Sequence, residues 1–419
     1  MDRPDTIVYD VSRLISRVDR QSPTGIDRVE LQQTKRALAA PERSAFLATK
    51  GRRSWFIADD IVEKLTETLE QRWAEGTPEG WLAAERVAVF LGVKALTQAP
   101  LSATQAAARK TLLKIPGPAA VSSNRLKARL EKRLRSAEHW VTYRNVSHHH
   151  LDKPGFLAGL KARWNARLCI HWHDAIPILW PEYSREGDGE KHRLRLEAVL
   201  LHADRIELSS EAAHAELLSL VEADPQRLPE LVIEPLTWAT GSFDKAKSLT
   251  GGRPYFIVVG TIEPRKNHRM LLEVWRELAA ELGEACPALV LAGRRGWMNS
   301  DTFALIERSP SLKQHVIEAP ELPDEALGSL IASAQALLMP SFAEGFGLPI
   351  LEAQKLGTPV VASDLEVFHE VAMAPFTSLS PLAGDAWKET ILEHLRGDRA
   401  RPNGALDLGQ ASQAHTEQA

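Results

Sequence analysis

The chain has 419 residues, a length that suits two domains or one very large one. Hydrophobic residues make up 44% and charged residues 25%, the balance of a soluble globular protein, and a formal net charge of -4 carries no signal for nucleic acid. The two cysteines, Cys169 and Cys286, lie far apart, so they spell no metal site and suit a reduced cytoplasmic protein.

The N-terminal MDRPDTIVYD lacks a basic stretch followed by an apolar one, so no signal peptide is expected. No apolar run reaches the roughly 18 residues of a membrane-spanning helix. Ile7-Val8-Tyr9 reads as a strand. A polar loop from Asp19 to Thr24 leads to a helix that starts near Gly25 and runs toward Ala39, with Thr24 and Asp27 spaced as a capping box. Further strands are expected at Ala45–Ala48, Trp55–Ala58, Val87–Leu91, Arg167–His171 and Arg205–Ser209, the last followed by a helix from Glu211. Between Arg109 and Arg135 the chain holds nine basic residues and one acidic one, Glu131, with Leu126, Leu130 and Leu134 recurring every four positions. Residues 124–135 thus read as a basic amphipathic helix, suited to a membrane surface or polyanion, or alternatively to a solvated face packed on its domain.

The second half alternates more cleanly. Strands are expected at Tyr255–Val259, Ala288–Ala292, Val316–Glu318, Ala336–Met339 and Val360–Ala362, and helices at His268–Leu282 and Pro349–Lys355, the latter closed by Gly357. Continuous apolar strands followed by helices imply parallel sheets covered on both faces. The class is therefore α/β, with two Rossmann-like domains at 1–240 and 241–397 and a flexible tail at 398–419. The break falls between Leu236 and Pro254, where Ser, Thr, Gly and Lys accumulate.

Open parallel sheets bind ligands beyond the carboxyl ends of their strands. That rule selects the segments Gly260–Asn267, Gly293–Trp297, Ala319–Pro323 and Pro340–Gly347. In SFAEGFGLPILEAQ, Pro349 suits the first helical turn, and amides from Gly345 to Ile350 would face an anion. Glu352 lies one turn into that helix and leans back toward its start, and Glu344 lies on the loop before it. Phosphate on amides and hydroxyls on carboxylates suit a nucleotide-sugar; a surface glutamate and a capping glutamate around an ordinary turn are the alternative. The turn also begins like a dinucleotide fingerprint, but Ile350 occupies the place of its third glycine. In VVGTIEPRKNH a strand ends at Gly260, and Arg265 and Lys266 supply two adjacent cations, a fork and a point charge, for a diphosphate. In CIHWHDAIPILWPEY a strand ends at His171, and His173 and Asp174 follow; His-X-His would suit a metal but has no third ligand at a convincing spacing, and His173 either fills a polar core niche or binds a sugar hydroxyl or phosphate. The run His148-His149-His150 reads as a surface loop, with a metal role as the alternative. No Asp-X-Asp occurs, so no metal site for a diphosphate is expected.

GTIEPRKN, AGRRGW and PSFAEGFGLPILEA together resemble the retaining GT-B glycosyltransferases of family 4, and Glu344 and Glu352 have the spacing of that family's paired glutamates. YDVSRL, PTGIDRVE and HDAIPILWPEY resemble a bacterial branch that builds surface polysaccharides. The likeness spans roughly residues 6–370. It implies a GT-B fold, two Rossmann-like domains facing across a cleft. It also implies that Glu344 binds hydroxyls of the transferred sugar, Glu352 the ribose, and Arg265 and Lys266 the diphosphate. Gly345, Phe346, Gly347 and Leu348, with Gly260 at the first strand end, would complete the donor site. Gly25 and His173 would approach it from the first domain, and the base would lie near Glu318 to Leu322. The resemblance further implies a nucleotide-sugar donor, with GDP-mannose the expected one, and a glycan or lipid-linked acceptor; no metal or other cofactor and no nucleic-acid partner are expected, and the protein is expected in the cytoplasm, with residues 124–135 as the segment available to meet the inner face of the membrane. The departure comes after Phe368-His369-Glu370-Val371, where MAPFTSLSPLAGDAW stands in place of a glycine-rich segment. GT-B chains often send a last helix back to the first domain, and Ala386–Leu395 is the segment available for that. Two carboxylates alone would also suit a glycoside hydrolase, which leaves Arg265 and Lys266 without work. A catalytically inactive GT-B scaffold is the remaining alternative.

Overall fold

A computed structural model describes residues 5–51, 53–93, 140–221, 228–236, 243, 246–247 and 249–398. The basic segment 124–135, the expected domain break at 240 and residues 399–419 of the tail lie outside the described residues. One compact unit is drawn from Met1–Trp73, Leu101–Leu179 and Glu186–Ala239, the other from Ala74–Pro100, Trp180–Arg185 and Thr240–Ala419. Each unit is thus assembled from separated stretches of chain.

The first unit is built on a seven-stranded sheet of order β3-β2-β1-β4-β5-β6-β7. Its strands are β1 (Asp5–Asp10), β2 (Ser44–Lys50), β3 (Arg53–Ile57), β4 (Trp140–Asn145), β5 (Arg167–Trp172), β6 (Arg205–Leu208) and β7 (Glu230–Ile233). All neighbours pair parallel except β2 and β3, which form an antiparallel hairpin at one edge. The strand order reverses between β1 and β4, and this is the unit's switch point. The helix Gly25–Leu38 starts with the expected capping box, Thr24 and Asp27 satisfying each other's backbone amides.

The second unit carries six parallel strands in the order β10-β9-β8-β11-β12-β13: β8 (Tyr255–Val259), β9 (Ala288–Ala292), β10 (Val316–Glu318), β11 (Leu337–Met339), β12 (Val360–Ser363) and β13 (Thr377–Leu379). Every residue of β9 is buried, because helices cover both faces of a parallel sheet. On the helix His268–Leu282, Leu271, Leu272, Val274, Trp275 and Leu278 form one apolar stripe. Trp275 meets Phe256 of β8 edge-on, with ring centroids 5.8 Å apart. The last helix, Gly384–Arg396, buries Trp387 and Ile391 in this same core, so the C-terminal helix packs on its own unit. The order reverses between β8 and β11.

Two expectations are corrected. Val87–Leu91 is not a strand but the end of a helix, Pro78–Leu91, which clusters with the second unit. Its buried positions Gly80, Ala83, Ala84, Val87, Ala88 and Leu91 keep helical period, Thr77 caps its start, and Gly92 closes it. A five-residue apolar window hid that longer period. The His148–His150 run is not a surface loop: His148 is buried with its ring 4.7 Å from that of Trp172, since it follows β4 at the switch point.

Candidate functional site

The loops after β8 and β11 meet because these strands are neighbours, although some 80 residues separate them in the chain. After β8 the chain makes a single tight turn, Pro264–Lys266, stopped by Asn267 in the left-handed region at φ 54°. The Lys266 amide donates to the Glu263 carbonyl at 3.1 Å, and the Phe342 amide donates to the Arg265 carbonyl at 2.8 Å. The two loops are therefore joined through the backbone as well as through side chains. The neighbouring β9 loop is fitted just as closely. A Cβ at Gly293 would stand 1.8 Å from the Gly260 carbonyl oxygen, so only glycine is tolerated there.

Four charged side chains converge on this junction. Arg265 bonds Glu263 through Nε at 2.6 Å and Glu344 through Nη1 at 2.6 Å, and Nη1 also donates to the Ala343 carbonyl at 2.9 Å. The Lys266 ammonium contacts the other Glu344 oxygen, which also accepts from the Ser341 hydroxyl at 2.8 Å. Burial opposes ionisation of Glu344, but the Arg265 and Lys266 charges outweigh it and hold the carboxyl at about 2. Burial also draws the Lys266 ammonium below its usual range, against the pull of Glu344. Glu263 is pushed up by burial despite its contact with Arg265. The turn thus keeps Lys266 and an ionised Glu344 out of bulk water, with the partly exposed Arg265 bridging Glu344 and Glu263.

Beyond Glu344 lies the glycine turn. Gly347 has φ 113°, and a Cβ there would press on the Phe368 ring at 3.0 Å. The helix that follows runs Leu348–Lys355, with Pro349 in its first turn. Pro349 has no amide hydrogen, and the Ile350 amide donates to the Gly347 carbonyl at 2.9 Å, so the expected row of amides ends before it. The amides of Gly345, Phe346, Gly347 and Leu348 remain for a ligand among the described residues. Glu352 is buried one turn further along.

Gly260, at the end of β8, lies beside Lys266: a Cβ there would be 3.4 Å from the lysine Cε. Glu318 ends β10, two strands from β8, and its carboxylate is held by the Arg295 guanidinium at 2.8 and 2.7 Å. Leu322 is buried nearby in sequence. The geometry thus gathers Gly260, Arg265, Lys266 and Glu344 at one point, with Gly345–Leu348 and Glu352 following, and places Glu318 and Leu322 toward the sheet's edge. Glu263 and Ser341 were not among the residues expected at the site. The signal for Glu263 was its place two residues before Arg265.

Gly25 and His173 belong to the first unit. Gly25 is the exposed first residue of its helix, and the Asp27 two positions on binds Arg13 at 2.6 Å and Arg17 at 3.1 Å. His173 is buried. Its Nε2 donates to the Val146 carbonyl, and its amide donates to His148 Nε2 at 3.3 Å. Burial, and then His171, push its imidazole well below the usual range, so it is neutral. Between β1 and β4, the Tyr143 hydroxyl donates to Asp10 at 2.6 Å, and the Leu14 amide donates to Glu30 at 3.4 Å. Burial raises Glu30 to about 8. Among the described residues no group of three or more His, Cys, Asp or Glu side chains is arranged to hold a metal ion, and no helix is long and apolar enough to cross a membrane.

Residues 242–398 match the family model described as glycosyl transferases group 1. The chain is 30% identical over 222 residues to the serotype-specific mannosyltransferase WbdA of Escherichia coli, covering 49% of this chain and 27% of that protein. It is 39% identical over 160 residues to O-antigen chain mannosyltransferase B of Escherichia coli, covering 38% of this chain and 42% of the relative. A D-inositol 3-phosphate glycosyltransferase of Mycolicibacterium smegmatis is 29% identical over 298 residues, 67% of each chain. The chain therefore spans less than half the length of the two mannosyltransferases. Among solved structures, Anabaena HepE in complex with UDP-glucose covers 94% of the chain with a TM-score of 0.57 at 15% identity. A sucrose-phosphate synthase of Thermosynechococcus elongatus has the same coverage, TM-score and identity. These likenesses establish the fold: mixed α/β with two Rossmann-like sheets, of GT-B type.

Proposed function

We propose that the chain is a retaining glycosyltransferase that moves a sugar from a nucleotide-sugar to a glycan or lipid-linked acceptor in surface polysaccharide biosynthesis. The observation that carries the reading is the Arg265–Lys266–Glu344 junction at the switch point of the second sheet, inside the stretch matched by glycosyl transferases group 1. Two fixed cations beside unpartnered amides suit a diphosphate, whose charge grows as it leaves. Glu344, held at about 2, stays ionised at neutral pH. It is therefore an acceptor for sugar hydroxyls and a poor proton acceptor. When a donor enters, its diphosphate takes over the N–H groups that Glu344 now occupies, and Glu344 turns to the sugar. Glu352 would bind the ribose, and the segment from Glu318 to Leu322 would lie against the base. Gly25 and His173 would act from the first unit; a neutral His173 has one N–H, given to the Val146 carbonyl, so it would meet a sugar hydroxyl as an acceptor through Nδ1.

In the transfer itself, the bond from the anomeric carbon to the diphosphate oxygen breaks. A new bond forms from the acceptor oxygen on the same face, and the acceptor proton passes to a diphosphate oxygen. Mannose from GDP-mannose is the proposed donor, since the two Escherichia coli relatives are named mannosyltransferases. The cation work falls to Arg265 and Lys266 rather than to a metal. We place the protein in the cytoplasm, peripherally on the inner membrane face through residues 124–135. Failure to sediment with anionic vesicles at low salt would remove that placement.

The test is calorimetric titration with GDP-, UDP-, dTDP- and ADP-sugars, with Glu352→Ala as the control. Loss of charge-assisted hydrogen bonds to the ribose should cost about 1.5–3 kcal/mol, roughly tenfold or more in affinity. If no donor binds folded protein, the inactive scaffold takes its place.

A further inference from the structure

The motif HDAIPILWPEY contributes to a six-residue stretch, Trp180–Arg185, that clusters with the second unit. Six residues cannot make a core of their own, so this stretch is held by what it touches. The ring of Tyr183 stacks on Phe342, with centroids 5.4 Å apart and planes at 9°. The indole N–H of Trp297 donates to the Tyr183 carbonyl at 3.0 Å, and the Arg185 guanidinium lies 4.5 Å over the Trp297 ring. The stretch therefore grips two loops at once, those after β9 and β11, which flank β8.

Both grips lead to the junction. Phe342 stands two residues before Glu344, and its amide is the one bonded to the Arg265 carbonyl. Trp297 follows Gly296, whose amide donates to the Ile262 carbonyl in the β8 loop at 3.0 Å. Both Phe342 and Tyr183 are half-buried, and the near-parallel stack covers one face of each ring. Without it, the Phe342 side of the loop would open to water, and the segment that carries Glu344 would be held from the β8 turn alone.

We propose that Tyr183 is a positioning residue for the transfer reaction: its ring on Phe342 and its carbonyl on Trp297 hold the 340–344 loop so that Glu344 is aimed at the sugar. This rests on the function proposed above, where Glu344 serves the sugar and Arg265 and Lys266 serve the diphosphate.

The experiment compares full-length wild type, Tyr183→Ala, Tyr183→Phe and Trp297→Phe. Amide hydrogen exchange of a peptide containing Phe342 reports the loop directly, without any reaction. Transfer kinetics are then measured with the nucleotide-sugar that wild type accepts, and binding of the matching nucleoside diphosphate is measured alone. For Tyr183→Ala, exchange at Phe342 should accelerate and kcat should fall about a hundredfold, the cost of a misplacement of about 1 Å. Binding of the nucleoside diphosphate should stay within about threefold, since Arg265 and Lys266 are carried by the turn Pro264–Lys266 and the Gly345–Leu348 amides lead into the helix Leu348–Lys355, neither of which Tyr183 touches. Tyr183→Phe keeps the ring and should restore both exchange and kcat. If Tyr183→Ala fails to fold, Trp297→Phe loosens the same stretch by removing one N–H and should shift exchange and kcat in the same direction. Unchanged exchange in the variants, or Tyr183→Phe as impaired as Tyr183→Ala, would overturn the proposal. Should wild type transfer no sugar, the functional reading fails, while the exchange result still decides whether Tyr183 holds the loop.

Discussion

The two sheets each gather buried ionisable groups at the point where strand order reverses, yet they settle the cost of burial in opposite ways. Beyond β8 and β11, cations and a carboxylate are placed within bonding distance, and Glu344 is kept charged. Beyond β1, β4 and β5, Asp27 is held down by Arg13 and Arg17, but at four other groups burial wins over the neighbouring charges. Glu30 and Asp10 are pushed up, His148 and His173 are pushed down, and most of these groups are driven toward neutrality. Glu344 stays ionised because two cations are fixed on it; Glu263, bonded to Arg265 alone, is pushed up by burial as Glu30 and Asp10 are. The first arrangement suits an incoming diphosphate. The second makes a polar but weakly charged surround.

The sharpest break of that contrast is Lys266→Met. It strands a buried carboxylate on one remaining cation, and breaking such a pair typically costs about 3–5 kcal/mol. Arg265 is partly exposed and still holds Glu344, so the lower end of that range is expected from urea unfolding. The double variant Lys266→Met/Glu344→Leu should recover part of the loss, because no charge is then stranded. A double variant no better than Lys266→Met would mean that the pair contributes little.

Glu30 and Glu344 should also respond to pH with opposite signs. Glu30 titrates at about 8 when folded against an ordinary value of 4.5, so the folded state holds its proton more tightly. The stabilisation it provides is full below pH 4.5 and is lost as pH rises through 8. The amide introduced by Glu30→Gln cannot ionise. The stability of this variant relative to wild type should therefore climb by about 1.4 kcal/mol per pH unit across that window and then level off. Glu344 runs the other way: its contribution is present above 4.5 and disappears as pH falls toward about 2. The deficit of Glu344→Gln should shrink only in acid. Equal slopes for the two variants would remove the distinction between the sites.

Gly347→Ala tests the backbone of the second site rather than its charges. At φ 113°, with the Phe368 ring 3.0 Å from the new Cβ, the strain should cost about 1–3 kcal/mol. Donor affinity should fall with it, since the amides of Gly345–Leu348 would turn away. Thermal unfolding and calorimetry would separate the two effects.

How far the sequence foretold these sites follows from the distance over which each is built. Five of the six strands of the second unit were legible from their apolar runs, and β8, β9 and β10 fall on the expected residues; the half-buried β13 carries no such run and was not expected. Glu344, Arg265 and Lys266 could be singled out one by one from their places at strand ends. Their mutual pairing could not, because it depends on β8 lying next to β11, two strands that are not consecutive in the chain. The same limit hid Tyr183, whose partner Phe342 is a distant residue on another loop. The histidines misled for a different reason. Three in a row look solvated, but position 148 follows a central strand, and its ring is drawn under Trp172. The helix Pro78–Leu91 failed locally, since its apolar end was read without its cap and its small-residue stripe.

The smallest expected effect concerns metal. If Arg265 and Lys266 do the work of a divalent cation, transfer by wild type should be unchanged by excess EDTA. The variant Lys266→Met adds a second arm. A site built for a fixed ammonium offers an incoming Mg²⁺ the carboxylates of Glu263 and Glu344, and Arg265 already holds both. Octahedral coordination with retained waters has little room beside a guanidinium. Added Mg²⁺ should therefore fail to restore the variant. Rescue by Mg²⁺, or inhibition of wild type by EDTA reversed by the metal, would show that the cation role is shared. The buried pairing of Lys266 with Glu344 would then be a resting arrangement of the empty site rather than the source of its electrostatics.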